Sequence, residues 1–145
     1  MDLAKIATDK AKRAHAQLQR PVIVEDVAFG LAKLGGLPGP FMRYFEDALG
    51  KEAMYILAGK PGEPATATCT VVYYDGTTTL LASGHLSGII VAPRGESGFG
   101  FDRVFQPDGS NETFAEMGGA KKDTISHRSI AIKDLVRQLK DLPPS

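Results

Sequence analysis

The sequence predicts an α/β domain in which helices flank a sheet, and three observations support this class. Residues near both ends of the chain show the 3.6-residue spacing of amphipathic helices. Between them, β-branched residues form apolar runs of strand length. Helical and strand segments mix without strict alternation, which favours an α+β or mixed-sheet α/β domain. Because no linker divides the chain, we expect one domain over residues 1–145.

The first two predicted elements are a helix and a strand. Residues 2–19 carry apolar side chains near helical spacing, and Pro21 ends the helix. The short apolar run from Val22 to Val24 predicts a buried strand. We expect this strand to deliver Glu25 and Asp26 at its end.

A tight loop, two short helices and a hairpin follow. The segment GGLPGP contains three glycines and two prolines, so we expect a sharp turn without regular structure. Short helices are predicted over residues 41–49 and 51–58, each followed by glycine. The β-branched runs TATCTVVYY and TTTLLASGHLSGIIV then predict a hairpin about a turn at Asp75 and Gly76.

The last part of the chain is loop-rich until a final helix. Residues 92–124 predict loops, with at most short strands between Phe101 and Phe105. The final helix is predicted over residues 127–140, with Ser126 as its N-cap.

Composition excludes several classes of partner. Seventeen basic residues offset seventeen acidic ones, so we expect neither a nucleic-acid polymer nor an anionic membrane as partner. No apolar stretch approaches the roughly 20 residues of a membrane helix, and the charged start is no signal peptide. We therefore expect a cytoplasmic protein. The single cysteine, Cys69, lies in an apolar run, where a buried and inert thiol is the favoured interpretation.

The final helix opens with two cationic side chains. His127 and Arg128 occupy its first turn, where positive charge opposes the helix dipole at a cost of about 0.3–1 kcal/mol. Arg128 also falls on the apolar stripe by i, i+4, i+7 spacing, so we expect its guanidinium to point toward the buried side. A buried guanidinium needs a carboxylate, a phosphate or a carbonyl-rich ligand. Two interpretations remain open: a ligand site, and an internal salt bridge. The apolar stripe consists of Ile132, Leu135, Val136 and Leu139.

Two further stretches are candidate binding elements, each with a structural alternative. Asp26 at a strand end has the hard oxygen ligands that suit Mg²⁺, but it also suits loop capping. In RGESGFGFD, glycine would let the backbone approach a flat ligand that stacks on Phe99 or Phe101. A glycine-rich turn with core phenylalanines is the favoured alternative there. Lys10 and Lys122 are interpreted most simply as parts of solvated faces.

Three stretches in one order and spacing resemble the inosine triphosphate pyrophosphatase family (non-canonical purine NTP pyrophosphatases). They are VIVEDV followed by GGLPGPF, then VAPRGESGFGFDRVFQPDGSNETFAEM, then KKDTISHR. The resemblance runs from about residue 3 to the C-terminus, and the S-H-R triplet with an upstream G-F-G-x-D is specific.

The resemblance implies a twisted mixed α/β sheet flanked by helices, in a homodimer. It implies cleavage of ITP, dITP or XTP to the monophosphate and pyrophosphate with Mg²⁺. Asp26 matches the essential acidic residue, as metal ligand or as general base, and Glu25 is a possible second metal ligand. The positions matching cations near the phosphates are Lys10 and Arg43. The positions matching base recognition are Phe99, Asp102, Lys122, His127 and Arg128.

This chain departs from the family pattern at several points. Family members have an N-terminal strand and a T/S-x-N-x-x-K phosphate loop before the first helix, whereas this sequence starts at that helix. We therefore expect a truncated member with an exposed sheet edge. Val27 replaces the usual Thr or Ser, and Arg103 replaces a proline. An alternative function follows: a non-catalytic remnant that binds purine nucleotides or dimerises.

Overall fold

The structure, a computed structural model, describes residues 2–96 and 100–143. Within these residues the chain forms six α-helices, five strands and two short 3-10 turns. The helices are α1 Leu3–Leu18, α2 Met42–Leu49, α3 Ala53–Ala58, α4 Phe114–Met117, α5 Gly119–Ile125 and α6 His127–Lys140. The strands are β1 Val22–Leu31, β2 Pro38–Gly39, β3 Pro64–Tyr74, β4 Thr79–Ile90 and β5 Phe105–Pro107. None of the helices in the described residues is long and apolar enough to cross a membrane.

The strands form one sheet in the order β2-β1-β3-β4-β5. The pairs β1–β2 and β4–β5 are antiparallel, and β3 and β4 form a hairpin. The carboxylate of Asp75 accepts hydrogen bonds from the backbone N–H of Thr77 and Thr78 and so closes the predicted turn. The α/β class and the helix-flanked sheet are confirmed. The prediction was a mixed sheet, whereas the β1–β2 and β4–β5 pairs are antiparallel.

The predicted bounds agree for α1, α2, α6 and the hairpin, and differ elsewhere. The first strand is longer than predicted, because β1 continues to Leu31 and pairs through Phe29 and Gly30 with β2. Glu25 and Asp26 therefore lie inside a strand and not at its end. The GGLPGP loop is not wholly irregular, since Pro38 and Gly39 form β2. The segment after residue 92 contains the short helices α4 and α5, which the glycine-rich composition hid.

By its contacts the chain divides into two compact units. The first comprises the described parts of residues 1–27, 68–85 and 126–145, and the second comprises residues 28–67 and the described parts of 86–125.

In the first unit, both faces of the strands are covered by helices. Successive strand side chains point to opposite faces, and all residues of β3 from Cys69 to Val72 are buried. On one face, Val22 and Val72 pack with Ala7 and Ala11 of α1. On the other face, side chains of β3 and β4 pack with two buried residues of α6. This second cluster is built around Cys69, Val71, Ala82, Ala131 and Leu135.

Gly84 sets how closely α6 approaches β4. A Cβ placed at Gly84 would overlap the backbone oxygen of His127 and lie 2.8 Å from the backbone nitrogen of Ala131. Ser126 caps the helix, because its hydroxyl accepts a hydrogen bond from the Ser129 N–H. The start of α6 can thus lie directly against β4 because Gly84 has no side chain.

The second unit has an aromatic core. The ring of Phe101 stacks on Phe29 with centroids 4.1 Å apart, and Phe105 meets both rings edge-on. Phe114 packs on Phe105 at 5.3 Å. This arrangement gives the offset and edge-to-face geometries that aromatic pairs prefer.

The half-buried carboxyl of Glu46 in α2 borders the 3-10 turn Gly100–Arg103. In the part of the chain that the structure describes, Glu46 Oε1 is buried and has no hydrogen-bond partner. A Cβ at Gly100 would lie 2.8 Å from this oxygen. Burial, followed by the negative charges of Asp47 and Asp102, raises the pKa of Glu46 above its ordinary value of 4.5.

We expect Gly84→Ala to lower the free energy of unfolding by about 1–3 kcal/mol, because the added methyl overlaps the backbone at the start of α6. Chemical denaturation of both proteins measures this change. Gly119→Ala is the control, since no atom lies within 4 Å of a Cβ there, and it should leave stability unchanged or slightly higher. Equal stability of the two variants would contradict the close approach.

We expect Glu46→Gln to stabilise the protein at pH 7–8. With its pKa raised in the folded state, ionised Glu46 opposes folding at any pH above that raised value. This penalty fades as the pH falls and is absent well below 4.5, where the carboxyl is protonated in both states. Thermal unfolding against pH measures the difference between variant and parent. The exposed Asp123→Asn serves as control, and a pH-independent difference for Glu46→Gln would count against the shift.

Candidate functional site

Asp26 lies on the face of β1 that is covered by α1. Its Oδ1 is 3.4 Å from Lys10 Nζ, and the same ammonium donates to the backbone oxygen of Glu25 at 2.8 Å. Asp26 Oδ2 is buried and has no hydrogen-bond partner among the described residues. A buried carboxylate oxygen without a donor is unfavourable by itself, so this oxygen fits a bound cation or a donor from a ligand.

Glu25 lies on the opposite face of β1, because neighbouring residues of a strand alternate. Its Oε2 accepts a hydrogen bond from Arg128 Nε at 2.8 Å and lies 4.0 Å from Cys69 Sγ. The expected pairing of Glu25 with Asp26 at one metal therefore does not fit this geometry. Among the described residues, no group of three or more His, Cys, Asp and Glu side chains is arranged to hold a metal ion.

Arg128 differs from its predicted environment. Its side chain is 61% exposed and forms an ion pair with Glu25, so the internal salt bridge is present. The expectation that the guanidinium points to the buried side is wrong. The argument that a buried arginine requires a ligand therefore loses its premise.

The reason lies in the rotation of α6 about its axis. The face turned to the strands carries His127, Ala131 and Leu135, which are 6%, 0% and 2% exposed. Ile132 and Val136, which the apolar stripe placed inside, are 37% and 42% exposed. Small residues at the contact, with Gly84 opposite, decide which face packs, and side-chain hydrophobicity alone does not report this.

In the second unit, Asp102 and Lys122 form a largely buried ion pair. Asp102 lies in the 3-10 turn Gly100–Arg103 and is 4% exposed. Its Oδ2 accepts from Lys122 Nζ, which belongs to α5, at 2.7 Å. The ammonium also lies 5.1 Å from the centre of the Phe114 ring. Lys122 is thus not part of a solvated face, and the two predicted base-recognition residues are brought together.

The aromatic and cationic candidates have different outcomes. Phe99 lies outside the described residues, so its stacking role stays a prediction. Phe101 is a core residue, which confirms the structural alternative for that phenylalanine. Arg43 is the second residue of α2 and its side chain is exposed. This position leaves the cation available to solvent or to an anionic ligand.

Two residues that depart from the family pattern have structural roles. Val27 points to the same face as Glu25 and packs with the cluster around Cys69. Arg103 Nε donates to the backbone oxygen of Gly95 at 2.8 Å. Neither residue contacts Asp26 in these interactions.

Cys69 is not a nucleophile. Burial, followed by the negative charge of Glu25, raises the pKa of the thiol to about 12. The prediction of an inert, buried cysteine is confirmed.

Sequence reasoning missed Glu46, whose buried oxygen faces Gly100. The negative charge of Asp102 is one cause of its raised pKa, which places both carboxyls in one region of the second unit. Its position on an amphipathic helix gave no signal, because Asp47 follows it and the sequence does not show which of the two carboxyls is buried. A cavity of about 430 Å³ in the same unit is lined by Pro107 and Lys121 but by neither Asp102 nor Lys122.

Comparison with known proteins identifies the family. The family model described as "Ham1 family" matches residues 1–138. The inosine triphosphate pyrophosphatase of Yarrowia lipolytica is 46% identical over 136 residues, which cover 92% of this chain and 72% of that protein. The inosine triphosphate pyrophosphatase of Batrachochytrium dendrobatidis is 39% identical over 142 residues, covering 94% and 75%.

A solved structure agrees with these similarities. The Staphylococcus aureus Ham1 protein matches with a TM-score of 0.82 at 29% identity, covering 92% of this chain and 74% of that one. The resemblance inferred from the motifs is confirmed: the chain belongs to the Ham1 family.

Proposed function

We propose that the protein is a nucleoside triphosphate pyrophosphatase that hydrolyses ITP, dITP or XTP to the monophosphate and pyrophosphate. Relatives at 46% and 39% identity carry the name inosine triphosphate pyrophosphatase. The observation that carries the chemistry is the buried Asp26 Oδ2, which has no hydrogen-bond partner among the described residues and lies in a carboxylate beside the Lys10 ammonium. No observation favours the non-catalytic alternative.

The phosphate chemistry requires charge compensation and little covalent participation by the protein. Water attacks the α-phosphorus and pyrophosphate leaves, so negative charge develops on the phosphate oxygens. Lys10 and Arg43 are the cations proposed to offset this charge. Asp26 is proposed to hold Mg²⁺ through Oδ2, with water and substrate oxygens completing the shell. When bound, the cation would polarise the phosphoryl oxygens.

Base selection is assigned to five residues carried over from the family pattern. Hypoxanthine and xanthine present a carbonyl oxygen where adenine presents an amino group. A site built from donors would face an unsatisfied contact with adenine, and such a mismatch costs more than the matched bond contributes. The proposed residues are Phe99, Asp102, Lys122, His127 and Arg128.

The remaining expectations concern assembly and location. We propose a homodimer in the cytoplasm, on the basis of the family resemblance. Exposed apolar side chains of the second unit are compatible with self-association, with Leu37 55% and Tyr44 72% exposed.

We expect the purified protein to release pyrophosphate from ITP, dITP and XTP in the presence of Mg²⁺, and more slowly from ATP. Asp26→Asn should reduce kcat for ITP by about 10³-fold or more, because the neutral amide no longer holds a divalent cation. Binding of IMP, measured by calorimetry, should persist in this variant.

The control for Asp26→Asn is Asp141→Asn at an exposed carboxyl, which should keep full activity. Absence of pyrophosphate release by the parent protein from every nucleotide, with measurable IMP binding, would support a non-catalytic binding protein. Full activity of Asp26→Asn would remove Asp26 from the chemistry.

We expect Arg128→Ala to lower kcat/KM for ITP by about 10–100-fold, with a much smaller effect for ATP, because a charge-assisted contact to the base oxygen is lost. Steady-state kinetics with both nucleotides measure the ratio. Arg137→Ala on the same helix, where the side chain pairs with Asp134, is the matched control. An unchanged preference for ITP would exclude Arg128 from base selection.

A further inference from the structure

We propose that Glu25 is a positioning residue that orients the Arg128 guanidinium toward the substrate base, and that it is not a metal ligand. This inference rests on the proposed function. It assigns the acidic pair of the first strand to two separate tasks, with Asp26 at the phosphates and Glu25 at base selection.

The geometry at the ion pair carries the first step. Arg128 Nε donates to Glu25 Oε2 at 2.8 Å, a charge-assisted bond between residues 103 positions apart in the sequence. A guanidinium is planar, so a bond through Nε restricts both its direction and its plane. The contact therefore limits the orientations of a long side chain that otherwise has four free torsions.

The exposure of the two side chains indicates how much this ion pair contributes to the stability of the fold. The side chains of Arg128 and Glu25 are 61% and 40% exposed, and ion pairs of that exposure contribute little to stability. The pair is thus poorly explained as a device for holding the fold. An exposed cation in a fixed orientation is what a solvent-accessible binding site needs, because less side-chain freedom is lost when the ligand arrives.

Both ends of the pair are held by rigid elements. Glu25 lies within β1, and its Oε2 is backed at 4.0 Å by the thiol of Cys69, which is fully buried. Arg128 follows His127, whose backbone is held against Gly84 of β4. The backbone at the start of α6 and the Glu25 carboxylate are therefore placed by the strands rather than by a loop.

The alternation of side chains along β1 argues against Glu25 as a second ligand of a cation bound to Asp26. Asp26, with its buried Oδ2, faces α1, while Glu25 faces α6. A cation bound at Asp26 Oδ2 would lie on the other side of β1 from the Glu25 carboxylate. The two carboxylates therefore have different partners, Lys10 for Asp26 and Arg128 for Glu25.

A double-mutant cycle tests the inference, with Glu25→Gln, Arg128→Ala and the double variant. We expect Glu25→Gln to lower kcat/KM for ITP by about 5–20-fold, mainly through KM, and to reduce the preference for ITP over ATP. The Mg²⁺ concentration for half-maximal rate should stay within about 2-fold of the parent. In the Arg128→Ala background, Glu25→Gln should change kcat/KM by less than about 2-fold. Glu25→Asp, which keeps the charge, should be intermediate.

Three results would overturn the inference. The first is a higher Mg²⁺ concentration for half-maximal rate in Glu25→Gln, and the second is an equal loss of kcat for ITP and ATP in that variant. The third is a double variant whose loss of kcat/KM equals the product of the losses in Glu25→Gln and Arg128→Ala. Circular dichroism of each variant, with Arg137→Ala as control, separates these from loss of the fold.

A second readout needs no activity. In ¹⁵N-labelled protein, the Arg128 Nε–H resonance should exchange slowly with water in the parent and quickly in Glu25→Gln. Slow exchange in both proteins would overturn the positioning role even in an active enzyme. If the parent protein is inactive but shows the expected exchange, the contact between Glu25 and Arg128 stands and the proposed pyrophosphatase function is wrong.

Discussion

The alternation of side chains along β1 is the constraint on which the candidate site depends. Because β1 is a regular strand through positions 25 and 26, two adjacent carboxylates point to opposite faces. One face carries α1 and the other carries α6. A single dipeptide thus supplies negative charge to two separate environments, one holding an ammonium and the other a guanidinium.

The second constraint is the contact between α6 and β4. Gly84 offers no side chain, and Ala131 offers a small one, so the helix approaches closely with its His127 face inward. This rotation places Arg128 at the exposed edge, within reach of Glu25. The cost of the Arg128 charge in the first turn of a helix is reduced there, because the guanidinium is paired with the Glu25 carboxylate. Packing and electrostatics therefore agree at this helix start.

Much of the fold could be predicted from the sequence, because the dominant signals were local. Helical spacing and capping located α1 and α6 to within a residue or two, and Asp75 with Gly76 located the hairpin turn. The full extent of β1 could not be predicted, because its second half pairs with only two residues of β2, which lie in a proline- and glycine-rich loop. The orientation of α6 depended on a glycine more than 40 positions away, which no helical pattern contains. The Asp102–Lys122 pair likewise joins a turn and a short helix that composition had hidden. The family motifs identified Asp102 and Lys122 as candidate binding residues but did not predict that the two side chains form an ion pair.

The burial of Cys69 has a practical consequence for experiments on this protein. The sequence contains one cysteine, and its thiol is fully buried with a pKa of about 12. Maleimide and iodoacetamide reagents require an accessible thiolate, so the native chain should resist them under mild conditions. A cysteine introduced at a chosen surface position would then be the sole site of attachment for a fluorophore or spin label. Single-site labelling of this protein therefore does not require replacement of Cys69.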